Sequence, residues 1–242
     1  MAIYQKVVAL NKDAHQQHKL KQVSDFYFAS DMQTVPVVAN EFREATKEYP
    51  IVFVRVQQGQ EALVPMVLLG LQSAQNLFVG DDGAWSARYV PAFIRRYPFI
   101  FAETGTDQLT LCVDEEFAGF NTDEGTALFN DGEESDFLKE VLQFVSAYHR
   151  DSQLTTSFVN KLQSLDLLEE KNLKAELKDG REFVVQGFYV VDEDKLNKLN
   201  AEQVQGLFST GELGVIYAHL MSLSNLNRLL DLATERGTQV VH

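Results

Sequence analysis

Cysteine is nearly missing: Cys112 is the single one in 242 residues, so no intramolecular disulfide can form and the chain fits a reducing compartment. It lies in the apolar run Leu-Thr-Leu-Cys-Val at 109–113, where a small buried hydrophobe is its expected role. Positive charge is scarce as well. Lys and Arg number 21 against 35 Asp and Glu, a formal net charge of −14. Phosphate contacts need clustered basic side chains, so a nucleic-acid surface is disfavoured, and adsorption to an anionic membrane face is disfavoured with it. Long apolar runs are absent too. Residues 64–71 form the longest candidate, contain Pro65 and Gly70, and fall far short of the ~18 residues a spanning helix needs. The N-terminus lacks the apolar region of a signal peptide, and a soluble, cytoplasmic protein is expected. Glycine-rich phosphate loops, G-x-S-x-G and zinc-type histidine motifs are also lacking, so no reaction class is announced.

What is present is globular. Apolar residues make up 45% of the chain and seventeen are phenylalanine, which excludes a disordered polymer. The acidity is concentrated: between residues 103 and 140 twelve Asp or Glu stand against Lys139 alone, which accounts for −11 of the net −14. A solvated flank, with one or two carboxylates pairing nearby arginines, is expected there, and a docking surface for a basic partner is the alternative. His15 and His18 form an H-x-x-H pair that no third ligand completes, so two surface histidines in a polar arm are expected and no metal.

Periodicity predicts an α+β fold: an N-terminal arm over 1–34, then one globule over 35–242, sheet-rich to about residue 130 and helix-rich after it. Strands are expected at 26–29, 51–54, 63–69, 76–79, 99–102 and 109–113, with helices over 37–48 and about 90–96. Two helical faces, 138–148 and 158–168, follow, the second starting at Thr155-Thr156. A hairpin is expected to turn at the Asp-Gly of 178–181, since both central positions of that turn favour φ > 0. Asp192 and the pair Asn200/Gln203 read as helix caps, and one last helix spans about 215–233. No Pro/Gly/Ser-rich linker divides the chain.

The chemistry-bearing stretch is 85–99. It carries the only tryptophan, Arg88, Arg95, Arg96 and two of the five prolines among aromatic rings. Arginine is always charged, so three of them in apolar company require carboxylates, ligand anions or ring faces to receive them. Trp85, Arg88, Tyr89, Arg95, Arg96 and Tyr97 are therefore the candidate ligand or partner contacts, with Asp114 and Glu115 as acids placed to take an arginine. Consecutive helical residues point ~100° apart, so Arg95 and Arg96 should face different ways. One is expected to be buried on Asp114 or Glu115 and the other exposed. His219 falls beside the apolar stripe Ile216, Leu220, Leu223, where a structural histidine is expected. It and Asp114 are the acid–base candidates should the protein be an enzyme. No cofactor is expected.

In their order, Glu48-Tyr-Pro-Ile-Val-Phe53, Pro65 with Leu68-Leu-Gly-Leu71, Asn76-Leu-Phe-Val79 and Trp85 form a recognisable series. It continues through Tyr89-Val-Pro-Ala-Phe-Ile-Arg-Arg-Tyr-Pro-Phe99, Leu111-Cys-Val-Asp-Glu115, Leu128-Phe129 and Gly132-Glu-Glu-Ser135. It closes with Gly187-Phe188, Val191-Asp-Glu193 and Ala218-His-Leu-Met-Ser-Leu223. The series resembles the SapC family of bacterial proteins over roughly residues 30–232, and the arginine helix is its most specific part. The resemblance implies a soluble protein of a surface-layer export cluster, or a neighbour of genes for tryptophan-halogenase-like, cupin-like and TonB-dependent receptor proteins. It brings no catalytic residues. The peptide permease sharing the name spans the membrane and is a different protein.

Two readings follow. The preferred one is an accessory protein that binds another protein of such a cluster. The other is a binder, or an enzyme, that grips a small anionic ligand with Arg95, Arg96 and Tyr97, because arginine's fork suits carboxylate and phosphate. A DNA-binding regulator is a poor third on charge.

Overall fold

The structure is a computed structural model that describes residues 3–23, 25–55, 62–103, 109–176, 180 and 182–239. The chain runs β1 (Val7–Ala9), α1 (Lys12–His15), β2 (Lys19–Leu20), β3 (Thr34–Pro36), α2 (Phe42–Ala45), β4 (Ile51–Arg55), β5 (Leu63–Leu68) and α3 (Ala92–Arg95). It continues β6 (Phe99–Glu103), β7 (Leu109–Asp114), β8 (Phe120–Asn121), β9 (Thr126–Ala127), β10 (Phe129–Asn130) and β11 (Glu133–Glu134). Then come α4 (Asp136–Ser164), β12 (Leu168–Glu176), β13 (Glu182–Val191), α5 (Glu193–Leu196), α6 (Ala201–Ser209), α7 (Glu212–Ser222) and α8 (Asn225–Gln239). Antiparallel sheets and a helical C-terminal part make the fold α+β.

The main sheet has the order β12-β13-β4-β5-β3. Ile51, Val52 and Phe53 are buried without alternation, as a central strand with both faces covered requires. β13 pairs with β4, so the C-terminal hairpin completes the sheet begun by the first half. Within that hairpin the register shifts between Lys171 and Leu173, opposite Gly187. Gly187 has φ 74°, a left-handed value that glycine adopts without a Cβ clash, and its N–H bonds Asn172. The expected turn at 178–181 lies outside the described residues except Gly180. A second sheet, β1-β7-β6, covers a separate core built on Phe99, Val113, Leu128 and Leu138.

α4 joins the two cores. At 29 residues it is about 43 Å long on a 1.5 Å rise. Leu138 and Val145 belong to the second core, whereas Phe158, Val159 and Leu162 belong to the first. Tyr148 lies between them against Val38 and Ala92. Ser135 caps its start by accepting the Leu138 N–H. No break occurs at Thr155-Thr156. Both hydroxyls donate to carbonyls four residues back, Asp151 and Ser152, so they sit inside the helix rather than open a new one.

Other expectations are corrected. Residues 27–29 form a 3₁₀ turn, and residues 76–79 form no strand beyond the single bridge of Val79 to Trp85. The 37–48 helix shortens to a 3₁₀ turn and α2, and the last helix is broken between α7 and α8. Asp192 and the reciprocal Asn200/Gln203 box do cap α5 and α6. The first 34 residues are more than a strap, since β1 pairs with β7 and β2 is the middle strand between β8 and β9. His15 is accordingly buried, with Nε2 3.3 Å from Glu115, rather than on the surface. No helix among the described residues is long and apolar enough to cross a membrane.

Candidate functional site

α3 stands at the seam of the two cores, held by an acid that the sequence did not single out. Glu41, 7% exposed, accepts the Ala92 N–H at 2.7 Å, the Tyr89 hydroxyl at 2.5 Å and the Val38 N–H at 3.0 Å. It fixes the entry to α3 from fifty residues away. Burial, and then the Glu41 charge, raise the Tyr89 pKa, so the phenol stays a donor at neutral pH.

The arginines are not paired with carboxylates. Among the described residues neither Arg88, Arg95 nor Arg96 makes an ion pair, and this corrects the expected Asp114 or Glu115 partnership. Rings receive two of them instead. The Arg96 guanidinium lies 4.6 Å from the Phe93 ring and 4.6 Å from the Tyr148 ring. It donates to the Tyr4 hydroxyl, which donates in turn to the Phe99 carbonyl at 2.9 Å. Burial pushes the Tyr148 phenol up to about 12, with the Arg96 charge opposing. Arg95 donates from Nε to the Val90 carbonyl and lies 5.1 Å from the Phe144 ring and 5.5 Å from that of Tyr89. Arg95 is exposed and Arg96 half-buried, with its Nε buried and without a hydrogen-bond partner.

Asp114 is spent elsewhere. Fully buried at the end of β7, it accepts the backbone N–H groups of Gln5 and Lys6 at 2.9 and 2.8 Å and the Tyr97 hydroxyl at 3.2 Å. Glu115 pairs with Lys6 at 2.8 Å and faces His15. The Lys6 hydrogen bond, then that of His15, holds its carboxyl below the usual range. These two acids latch the N-terminal residues because those residues present bare amides and a lysine where β7 ends. No local sequence signal announces such a long-range pairing.

The long side chains nevertheless converge. Arg95, Arg96 and Tyr97 line one cavity of about 340 Å³, walled by Leu20, Phe99, Phe137, Val141, Phe144 and Val145, with Gln22, Val23 and Thr126 at its edge. Arg95 and Arg96 reach different rings, the first exposed and the second half-buried, and both still border this cavity. Among the described residues no acidic side chain lines this cavity. Arg96 also borders a larger one of about 710 Å³, which contains Asp31.

The sequence pattern of the SapC family matches residues 10–229, a span that takes in the whole lining of the smaller cavity. The chain belongs to the SapC family. No curated protein and no solved structure matches it. In this SapC chain the other sequence candidates lie apart from the arginine cavity. Trp85 donates to the Tyr49 hydroxyl at 2.8 Å and packs against Phe26 and Phe78 in the first core. Arg88 is exposed. His219 is fully buried 5.0 Å from Phe53, and its Nε2 accepts the Val191 N–H at 3.0 Å. Burial lowers its pKa to about 4, so it is a neutral core residue at physiological pH. Cys112 is buried in β7, and burial raises its thiol. Among the described residues no group of His, Cys, Asp and Glu could hold a metal ion. Tyr4, Glu41, Phe93, Phe144 and Tyr148 were not read as site residues, since all but Phe93, which lies on α3 itself, act from another part of the chain.

Proposed function

We propose that this SapC chain is a binding protein whose ligand is a small anion-bearing molecule, held between α3 and α4 by Arg95 and Arg96. The observation that carries this reading is that two guanidiniums and the Tyr97 ring line one cavity with no carboxylate among its described lining residues. Guanidiniums that rest on ring faces and a few neutral acceptors, with no carboxylate partner among the described residues, keep N–H donors available for an incoming anion. Asp114 and His219, the candidate acid–base groups, do not line the cavity, so binding rather than turnover fits the geometry. Native mass spectrometry of gently purified protein tests the reading. A co-purifying anionic molecule that is lost from Arg96→Met supports it. A ligand that persists in Arg96→Met and Arg95→Ala refutes it.

A separate observation favours protein–protein association. Phe208 is 73% exposed and Met221 68%, and Tyr217 on the same helix as Met221 is 48% exposed. Exposed large apolar side chains mark a docking face where they form one patch, and α6 and α7, which carry these three, are packed neighbours. Such a face fits the gene-cluster role that the family resemblance implies. Co-purification with a neighbouring gene's product, abolished in Phe208→Ser and Met221→Ser, is the test.

A further inference from the structure

We infer that the ligand is a medium-chain monocarboxylate with an apolar body, seated tail-first among the phenylalanines of the 340 Å³ cavity with its carboxylate on Arg96. This rests on the anion-binding reading above and narrows it to one chemical class.

Four observations lead there. The walls are apolar: Leu20, Phe99, Phe137, Val141, Phe144 and Val145 leave only Arg95, Arg96, Tyr97, Gln22 and Thr126 to contact polar groups. A sugar or polyhydroxylated acid would therefore bury hydroxyls against hydrocarbon with nothing to bond them. The charge is also placed at one side. Arg95, Arg96 and Tyr97 come from the last residue of α3 and the two residues after its end, whereas most of the apolar wall comes from α4. A ligand with one charged head and an apolar remainder matches this asymmetry.

Third, the Arg96 guanidinium is clamped between Phe93 and Tyr148 with its Nε buried away from solvent, while the side chain as a whole lines the cavity. A planar guanidinium held in this way presents a fixed pair of N–H groups, the geometry that takes both oxygens of a carboxylate. The occupant is directed to this cavity rather than the larger one on the other side of Arg96, where Asp31 would repel it. Fourth, the chain carries a net −14, concentrated over residues that include β8 and β9 beside this cavity. Such a field opposes a polyphosphate or tricarboxylate far more than a single charge. Affinity must then come mainly from the tail.

Volume sets the length. At roughly 30 Å³ for each water-sized group, 340 Å³ holds on the order of ten heavy atoms. Octanoate to decanoate fills it, and hexadecanoate exceeds it.

Isothermal titration of the full chain with acetate, hexanoate, octanoate, decanoate, decanol and inorganic phosphate tests the inference. Each two-carbon extension up to decanoate is expected to tighten binding about tenfold, following the transfer of two methylenes from water. Decanol should bind at least tenfold more weakly than decanoate. Arg96→Met should bring decanoate down to the decanol level. If that variant is unstable, Val141→Phe fills the cavity without touching the charge and should abolish decanoate binding alone. Phosphate binding tighter than decanoate, or Arg96-dependent binding indifferent to chain length, overturns the carboxylate class while leaving an anion-binding protein. No Arg96-dependent binding of any of these anions overturns both readings.

Discussion

Replacing Asp114 with alanine should cost about 3–5 kcal/mol and loosen the N-terminal residues before the rest of the fold. Its carboxylate is fully buried and takes two short bonds from consecutive amides, Gln5 and Lys6, at 2.9 and 2.8 Å. Hydrogen bonds to a charged group are worth ~1.5–3 kcal/mol each, which puts the two together at ~3–6 kcal/mol. The Tyr97 hydroxyl at 3.2 Å and the Glu116 N–H at 3.3 Å are longer and add little. Gln5 and Lys6 can regain water once β1 lifts from β7, which keeps the loss near the lower part of that range. For a chain of this size the change corresponds to a fall in Tm of roughly 10 °C. Asp114→Asn keeps one accepting oxygen but turns an NH₂ toward an amide, so its loss should be intermediate. Urea denaturation followed by circular dichroism gives the size, and hydrogen exchange of residues 5–10 gives the place. Glu115→Ala is the control, since its pairing with Lys6 lies at the surface and should matter little. If Asp114→Ala loses under ~1 kcal/mol and the amides of 5–10 stay as protected as in the wild type, the latch does not exist.

Arg96→Ala should cost ~1–3 kcal/mol, less than a carboxylate-paired arginine, because two ring contacts rather than an ion pair are lost; Arg96→Met should be close to neutral in thermal melts. A loss above ~4 kcal/mol for the methionine variant would mean that a charge partner has been overlooked. Glu41→Ala should destabilise by ~2–4 kcal/mol through three bonds left unmade at the start of α3, and a loss below ~1 kcal/mol would contradict its role. For His219, folding lowers the pKa from 6.5 to about 4, so its stability contribution is complete above 6.5 and declines as pH falls toward 4. The loss by pH 5 is about 2 kcal/mol, and urea midpoints should show a smaller pH 7 to 5 decline for His219→Gln than for the wild type. Parallel declines would show that the residue is not buried neutral.

Sequence alone determined the features that depend on neighbours in the chain. The apolar run at 51–54 read as a strand and Asn200 with Gln203 as a helix cap, because the groups that interact are near one another in the chain; that both faces of the strand are covered came from the fold. The family series was legible for the same reason, and α3 was located by its flanking prolines. The destination of each charged side chain was not legible. Asp114 was expected to hold an arginine, but β1 pairs with β7 and brings two amides nearer; the arginines turned to Phe93, Phe144 and Tyr148, which reach them from the next turn of α3 or from α4. The cavity itself, with both guanidiniums on one wall and no acid opposite, exists only because a single 29-residue helix crosses both cores and carries Phe144 and Tyr148 past α3. Long-range pairing chooses among partners that are chemically equivalent in sequence, and that choice is made by distance in the folded chain.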